Sequence, residues 1–540
     1  MHRHMLALIV AIAPLAPVVA RDDVVKIADG ALSGVRGEDP NIRVFRGIPF
    51  AAAPVGDRRW QPPAPVLKWS GTLVADHFKP ICPQQANERD EFKDQAQSED
   101  CLTLNLWTKA KTASERRPVM VWFYGGAYRR GSANVSRYDG ENLAKKGVIL
   151  VSANFRNGVF GFFAHPDLDK ESPQGVSGNY MLLDQIAALR WVKQNIAAFG
   201  GDPDNVTIFG QSSGAVSVSA LVHSPLAKGL FQRAIAETGG VFAIPTNPGW
   251  GFFQERSLAQ AEADGAALMA KLNTQSIAEL RAKTPAEILN AALPGSNTYR
   301  PVIDGWALPA DGRAMQADHS FNDVPILVGS NKDETYRPGS PDVTIASYTE
   351  QAQRRFGPRA AEFLGLLPLT SDTDARMAAA NSGSVEWGDY IMGTWARMQA
   401  KTAKSNVYLY RFTRDQPVPA SSPDKSPPTY APHGAEIIYA FDNLHVYPWN
   451  WTDIDRQLAD RMSSYWVNFA KTGNPNGPGL PLWPSVQTAP DTMMELGNHT
   501  GPIAIAYPQL LGFYNSLGPV PRITRTTMPQ AVERGPRPKP

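Results

Sequence analysis

Short, largely apolar runs recur along the chain, and glycine, proline or polar residues bound each of them. Such runs are typical of strands that helices cover on both faces, because neither face then meets water. Between the apolar runs Val148–Ser152 and Val206–Phe209, the segment Leu182–Val192 has apolar residues at helical spacing and is followed by Gly200 and Gly201. This pattern predicts a crossover helix. The pattern predicts an α/β fold with a doubly wound, mainly parallel central sheet flanked by helices. The predicted strands are Val119–Phe123, Val148–Ser152, Val206–Phe209, Pro325–Val328 and Val407–Tyr410.

Two longer segments, Gln254–Leu293 and Thr344–Ala403, have a largely helical pattern and predict excursions that cap the sheet. Length alone favours several domains of about 150 residues each. The residues with candidate chemistry nevertheless extend from Tyr124 to His433 without a clear linker. We therefore expect one catalytic domain over residues 21–520, followed by a loose tail over residues 521–540 that is rich in proline and arginine.

Residues 1–20 have the pattern of a secretory signal peptide. Basic residues precede the apolar run Met5–Val19, and small residues at Val18 and Ala20 suit a cleavage site. The run is short for a membrane span, and it contains Pro14 and Pro17. We expect cleavage after Ala20 and an exported protein, periplasmic or secreted, without a stable membrane anchor.

The composition favours small-molecule chemistry over nucleic-acid binding. The chain is 43% hydrophobic and 19% charged, as in soluble globular proteins, and its net charge of +2 provides no strong field for nucleic acid. Its two cysteines, Cys82 and Cys101, lack the Cys-x-x-Cys spacing of metal and redox sites. In an exported chain they predict a disulfide, with two buried thiols as the alternative. We expect neither a metal nor a cofactor.

The segment Gly210–Gly214 reads Gly-Gln-Ser-Ser-Gly and lies between a predicted strand and a run of small residues typical of a helix. A strand that turns sharply into a helix through Gly-x-Ser-x-Gly presents the serine hydroxyl at the sheet edge, and glycines tolerate the crowded backbone. Ser212 is therefore the candidate nucleophile.

A serine hydroxyl needs a base, and in this type of turn the acid and then the histidine follow the serine along the chain. The histidines far enough downstream are His433, His445 and His499. Only His433 follows a predicted strand and a proline-rich loop, so it is the candidate base.

Two adjacent carboxylates, Asp333 and Glu334, follow the predicted strand Pro325–Val328. Functional groups gather at the carboxyl ends of strands in open α/β sheets. Glu334 is the first choice for the acid and Asp333 the second, since spacing does not separate neighbouring carboxylates.

A glycine-rich loop, Tyr124–Tyr128, follows the predicted strand Val119–Phe123. Acyl transfer needs preorganised N–H donors for its oxyanion, and the backbone of Gly126, Ala127 and Ser213 is predicted to supply them. Arg129 and Arg130 come next and are candidate contacts to substrates that carry an additional carboxylate, and Tyr128 is a further candidate for substrate binding. Solvated arginines are the alternative.

Several separate motifs resemble the type B carboxylesterase and cholinesterase family of α/β-hydrolases, over nearly all of the chain after residue 20. The resemblance implies the α/β-hydrolase fold with helical cap excursions, and carboxylic ester hydrolysis through an acyl-enzyme on small or medium esters. A non-catalytic adhesion module on the same fold is the alternative. The motifs are Phe45–Ala51, Ser98–Asn105, Phe199–Pro203, Gly210–Gly214 and Tyr465–Phe469.

The resemblance also assigns roles to individual residues and reveals departures from the family pattern. Ala127 stands where a third oxyanion-loop glycine is usual, Gln211 where a glutamate is common, and Thr238 where a serine is common. Residues 83–100 contain no tryptophan, so choline esters are poor candidate substrates. The implied roles are a triad of Ser212, Glu334 and His433, a Cys82–Cys101 disulfide, and a salt bridge between Arg59 and Glu99.

Overall fold

An eleven-stranded sheet forms the centre of the protein in the computed structural model. The structure describes residues 24–85, 87–88, 90–242, 244, 255–292, 298–335, 343–417, 430–518 and 522–526. The predicted signal peptide and residues 527–540 of the predicted tail lie outside this description. The strands are β1 (Val24–Ile27), β2 (Gly30–Ser33), β3 (Val35–Arg36), β4 (Arg43–Pro49), β5 (Thr72–Val74), β6 (Thr103–Thr108), β7 (Arg117–Phe123), β8 (Ile149–Ala153), β9 (Gly201–Gln211), β10 (Arg233–Glu237), β11 (Arg256–Ser257), β12 (Val302–Ile303), β13 (Ile326–Asn331), β14 (Val407–Phe412), β15 (Thr492–Leu496) and β16 (Thr500–Ala504).

Helices lie along the sheet and between its strands. Helices α5 and α15 contact β9, and α13 contacts β13 and β14. Their bounds, with those of the other α-helices, are α1 (Glu141–Lys145), α2 (Gly158–Phe162), α3 (Pro166–Glu171), α4 (Tyr180–Asn195), α5 (Ser213–His223), α6 (Leu258–Lys271), α7 (Ile277–Arg281), α8 (Pro285–Ala291), α9 (Gly312–Ala317), α10 (Ile345–Phe356), α11 (Ala360–Leu364), α12 (Asp372–Ser384), α13 (Ile391–Thr402), α14 (Ile437–Ala440), α15 (Asp453–Thr472) and α16 (Pro508–Asn515).

The central sheet has the order β16-β15-β14-β13-β10-β9-β7-β8-β6-β4-β3. Pairing is parallel from β8 across to β15 and antiparallel at both edges. All five predicted strands are present, as β7, β8, β9, β13 and β14, and α4 is the predicted crossover helix. The prediction of a doubly wound, mainly parallel sheet is confirmed.

Burial explains why these strands have apolar sequences. Every residue from Val119 to Phe123 in β7 has no measurable exposure, and the same holds for Ile149–Val151 in β8. Strand β10 was not predicted, because its sequence Arg-Ala-Ile-Ala-Glu has charged ends around a short apolar centre. Strand β9 is longer than predicted and begins at Gly201, which pairs with Arg117.

Both segments that predict a helical cap contain helices, α6 to α8 in the first and α10 to α13 in the second. Between α12 and α13 the helix continues as one π-helical stretch, Val385–Tyr390. π-Helical stretches are rare in proteins, and those that occur are often located at functional sites. Among the helices that the structure describes, none combines the length and apolar character that crossing a membrane requires.

A disulfide joins Cys82 to Cys101 and closes a loop that ends just before the first residue of β6. Beside it, Arg59 donates two hydrogen bonds to Glu99, at 2.7 and 2.5 Å, and both side chains are nearly buried. Arg59 also donates to the carbonyl oxygens of Arg281 and Lys283, so it ties the disulfide loop to the cap helices.

Candidate active site

Ser212 occupies a sharp turn between the last residue of β9 and the first residue of α5. Its φ is 57° and its ψ is −126°, a combination that residues with side chains rarely adopt. A Cβ at Gly214 would lie 2.0 Å from the carbonyl oxygen of Phe123, and one at Gly210 2.6 Å from the same atom. The flanking glycines are thus needed for close packing of the turn against β7.

A short hydrogen bond joins His433 to Glu334, between Nδ1 and Oε2 at 2.6 Å. The other carboxylate oxygen of Glu334 accepts from the hydroxyl of Thr238 and from the backbone N–H of Asn331, both at 2.6 Å. The Glu334 side chain is fully buried, so its carboxylate accepts hydrogen bonds from protein groups rather than from bulk water. Because a carboxylate can only accept, Nδ1 of His433 carries the hydrogen and Nε2 is the acceptor nitrogen of the ring.

The other candidates for acid and base lie elsewhere. Asp333 accepts from the backbone N–H of Ala431 at 2.9 Å and pairs with Lys332 at 3.5 Å. His499 is largely exposed and contacts Glu495. The carboxylate that touches a histidine beside the Ser212 turn is therefore Glu334.

The loop after β7 lies directly against the Ser212 turn. A Cβ at Gly125 would lie 2.9 Å from the Cβ of Ser212. Gly126, Ala127 and Tyr128 all have positive φ, at 127°, 63° and 61°. Among the described residues, the backbone N–H groups of Gly126, Ala127 and Ser213 donate to no protein acceptor. Three unused donors thus lie on the two segments that surround the serine.

Comparison with known proteins places this arrangement in a family. The sequence profile described as "Carboxylesterase family" matches residues 21–362 and 371–509. The chain belongs to the carboxylesterase family. It is therefore a serine carboxylesterase, an enzyme that hydrolyses carboxylic esters, and its fold is that of the α/β-hydrolases.

Relatives and solved structures agree with this assignment. The carboxylesterase is 36% identical over 505 residues to fumonisin B1 esterase of Sphingopyxis macrogoltabida, covering 90% of this chain and 89% of the relative. It is 33% identical to para-nitrobenzyl esterase of Bacillus subtilis (strain 168), covering 84% of this chain and 90% of the relative. A solved structure of PNB esterase superposes with a TM-score of 0.77 at 30% identity, covering 91% of this chain and 98% of that one.

Gln211 contacts the imidazole of the carboxylesterase in a way that the sequence did not predict. Its side-chain nitrogen lies 3.2 Å from Nε2 and 3.4 Å from Nδ1 of His433. Among the described residues, no hydrogen bond joins the hydroxyl of Ser212 to His433. Contacts of this kind are often long without substrate and tighten in the substrate complex. In the structure, the amide of Gln211 takes the place at Nε2 that a serine hydroxyl would need.

The surroundings of His433 favour its protonated form. Burial of the ring disfavours the cation, but the charge and hydrogen bond of Glu334, with the charge of Glu436, outweigh burial and raise the pKa above 6.5. Burial, and then the charge of Glu334, raise the pKa of Glu436 to about 7. Trp387, from the π-helical stretch, lies with its ring centroid 4.6 Å from that of His433. The imidazole is thus packed on one face and anchored at Nδ1.

A cavity of about 510 Å³ opens beside Ser212. Of the three candidate substrate contacts, Arg130 lines it, whereas Arg129 and Tyr128 are not among its lining residues. Tyr128 is buried edge-on against Phe162. The other lining residues come from the disulfide loop, the segment that follows β7, the end of β9, the π-helical stretch and the segment around His433. They are Asp90, Phe92, Gly125, Gly126, Ala127, Gly131, Ser132, Val135, Arg137, Tyr138, Gln211, Trp387, Gly434 and Ile437.

Proposed function

We propose that this carboxylesterase hydrolyses small or medium carboxylic esters through a covalent acyl-enzyme on Ser212. His433 accepts the serine proton through Nε2 as the oxygen attacks the ester carbonyl, and it returns that proton to the departing alcohol. Water then attacks the acyl-enzyme, and His433 again accepts the proton. The observation that carries the proposal is the 2.6 Å contact between His433 and the buried Glu334, in the cavity that also holds Ser212.

Glu334 acts by fixing the imidazole rather than by taking its proton. The carboxylate keeps the hydrogen on Nδ1 and stabilises the imidazolium that forms during attack. The backbone N–H groups of Gly126, Ala127 and Ser213 donate to the oxyanion of the tetrahedral intermediate. The methyl group of Ala127 narrows the space next to the acyl group. Gln211 releases Nε2 when the Ser212 hydroxyl turns toward the ring.

A fluorophosphonate probe tests the nucleophile directly. We expect the peptide that contains Ser212 to gain the mass of one probe less HF, because an activated serine attacks phosphorus as it attacks an ester carbonyl and displaces fluoride. Intact-mass and peptide mass spectrometry measure this. Absence of labelling in folded protein, or equal labelling of Ser212→Ala, would contradict the proposal and favour a non-catalytic binding module.

The acid limb of the pH profile, where kcat/KM rises with pH, reports the protonation of His433. A protonated imidazole cannot accept the serine proton, so the rate should rise with pH and level off above the raised pKa. We expect the midpoint of that limb above pH 6.5. Glu436 is itself about half protonated near pH 7, so Glu436→Gln removes only a partial negative charge and should move the limb slightly to lower pH. A limb that moves to higher pH in Glu436→Gln would contradict this electrostatic account.

We further propose that the carboxylesterase is exported after cleavage behind Ala20. The disulfide between Cys82 and Cys101 is consistent with an oxidising compartment. Sequencing the amino terminus of protein recovered outside the cytoplasm should give Arg21 as the first residue. Recovery of an uncleaved chain in the cytoplasm would overturn this proposal.

A further inference from the structure

Two arginines line the cavity that holds Ser212. Arg130 and Arg137 both line it, and their side chains are 31% and 32% exposed. Arg130 follows the oxyanion loop, where its backbone N–H donates to the carbonyl oxygen of Gly126 at 3.2 Å. The guanidinium of Arg137 lies 5.1 Å from the ring centroid of Tyr138, a cation–π contact that orients it.

Most hydrogen-bond donors of these two guanidinium groups are unused. Each group has five N–H donors. Arg130 has one loose ion pair, to Asp90 at 3.5 Å, and Arg137 has one, to Glu91 at 3.6 Å. Within the described part of the chain, the guanidinium of Arg130 makes no hydrogen bond to another residue, and that of Arg137 bonds to the hydroxyl of Tyr138.

Arginines with a structural role in this protein look different. Arg156 donates to both carboxylate oxygens of Asp184 at 2.8 and 2.7 Å. Arg414 donates to both oxygens of Asp455 at 2.6 and 2.9 Å. Such paired contacts are the preferred geometry between guanidinium and carboxylate. Arg130 and Arg137 line the cavity and lack such paired contacts to a carboxylate among the described residues.

We propose that Arg130 and Arg137 bind a free carboxylate of the substrate, so that the preferred substrates are esters that also carry an acid group, such as half-esters of dicarboxylic acids. This inference rests on the proposed ester hydrolysis at Ser212. The substrate carboxylate takes the unused donors and replaces Asp90 in its loose ion pair with Arg130, while Glu91 keeps the guanidinium of Arg137 in place. Glu91 is itself held, since it accepts a hydrogen bond from the hydroxyl of Tyr447.

The test compares two esters of equal chain length, mono-p-nitrophenyl glutarate and p-nitrophenyl pentanoate. The measured quantity is the ratio of kcat/KM for the anionic ester to kcat/KM for the neutral one. We expect Arg130→Gln and Arg137→Gln each to lower this ratio at least tenfold, because each removes charge-assisted hydrogen bonds. Arg129→Gln is the matched control, since Arg129 lies in the same loop but outside the cavity wall, and its ratio should equal that of the wild type.

Two further measurements test the inference without the arginine variants. One predicts a rise of the kcat/KM ratio instead of a loss, and the other uses the wild-type protein. Asp90→Asn removes the carboxylate that competes for Arg130, so it should raise the ratio. Added sodium chloride should lower kcat/KM of the wild type for the anionic ester only, through screening. Equal losses on both esters in the arginine variants, or a wild-type ratio that salt does not change, would overturn the inference.

The outcomes also separate this inference from the proposed function. If the neutral ester is hydrolysed through Ser212 and the ratio ignores both arginines, then only the carboxylate site is wrong. If neither ester is hydrolysed, or Ser212→Ala hydrolyses both as well as the wild type does, then the proposed function itself fails.

Discussion

Replacing Ser212 with alanine is expected to lower kcat about a millionfold, the size of loss that follows removal of a triad nucleophile elsewhere. The alanine side chain has no oxygen to form the acyl-enzyme, and residual turnover then depends on the oxyanion donors alone. The strained backbone and the neighbouring glycines remain, so the fold should persist. Steady-state hydrolysis of p-nitrophenyl butyrate, with circular dichroism to verify folding, measures the effect.

Ser217→Ala is the matched control for this substitution. Ser217 is also buried in α5, and its hydroxyl donates to the backbone carbonyl of Ser213 at 3.0 Å. Its loss removes hydrogen bonds but no nucleophile, so kcat should stay within about tenfold of the wild type. Activity of Ser212→Ala within tenfold of the wild type would refute the assignment of the nucleophile.

Glu334→Gln should lower kcat on the order of ten-thousandfold, as changes of a triad acid to its amide do elsewhere. Two donors, the Thr238 hydroxyl and the Asn331 backbone N–H, converge on one carboxylate oxygen. The amide oxygen of glutamine must face that pair, which turns its NH₂ group toward Nδ1 of His433. Nδ1 must then accept, the ring hydrogen moves to Nε2, and the imidazole loses its role as base.

Asp333→Asn controls for this argument, because it makes the same chemical change one residue away. The asparagine oxygen can still accept from the backbone N–H of Ala431, as Asp333 does at 2.9 Å. We expect kcat within about tenfold of the wild type. If Glu334→Gln and Asp333→Asn lowered kcat for the same ester equally, the loss would come from removing negative charge near the site. It would then not come from the tautomer of His433.

Features decided by local geometry and by burial could be predicted from the sequence. The five apolar runs predicted strands because both faces of each are buried, and the Gly210–Gly214 segment predicted the turn because its glycines touch the backbone of β7. The choice between Asp333 and Glu334 depended on family resemblance, since both side chains follow the same strand and only the tertiary structure brings one of them to His433.

Features that depend on contacts between distant segments were not predictable. Arg137 lies in a segment without a motif, and only the folded chain shows that its side chain lines the cavity. Trp387 contacts His433 from the π-helical stretch Val385–Tyr390, and no pattern in the sequence indicates such a stretch there. The contact of Gln211 with the imidazole likewise joins residues 222 positions apart.

The loop closed by Cys82 and Cys101 has an evolutionary consequence. The loop supplies Asp90 and Phe92 to the lining of the cavity. Ser212 and the backbone N–H groups near it come instead from the ends of strands and the turns that follow them. The covalent crosslink anchors the loop at both ends, so residues between the two cysteines can diversify while the reactive groups stay fixed. Substitutions in this loop can therefore change which substrates the cavity accepts without displacing Ser212.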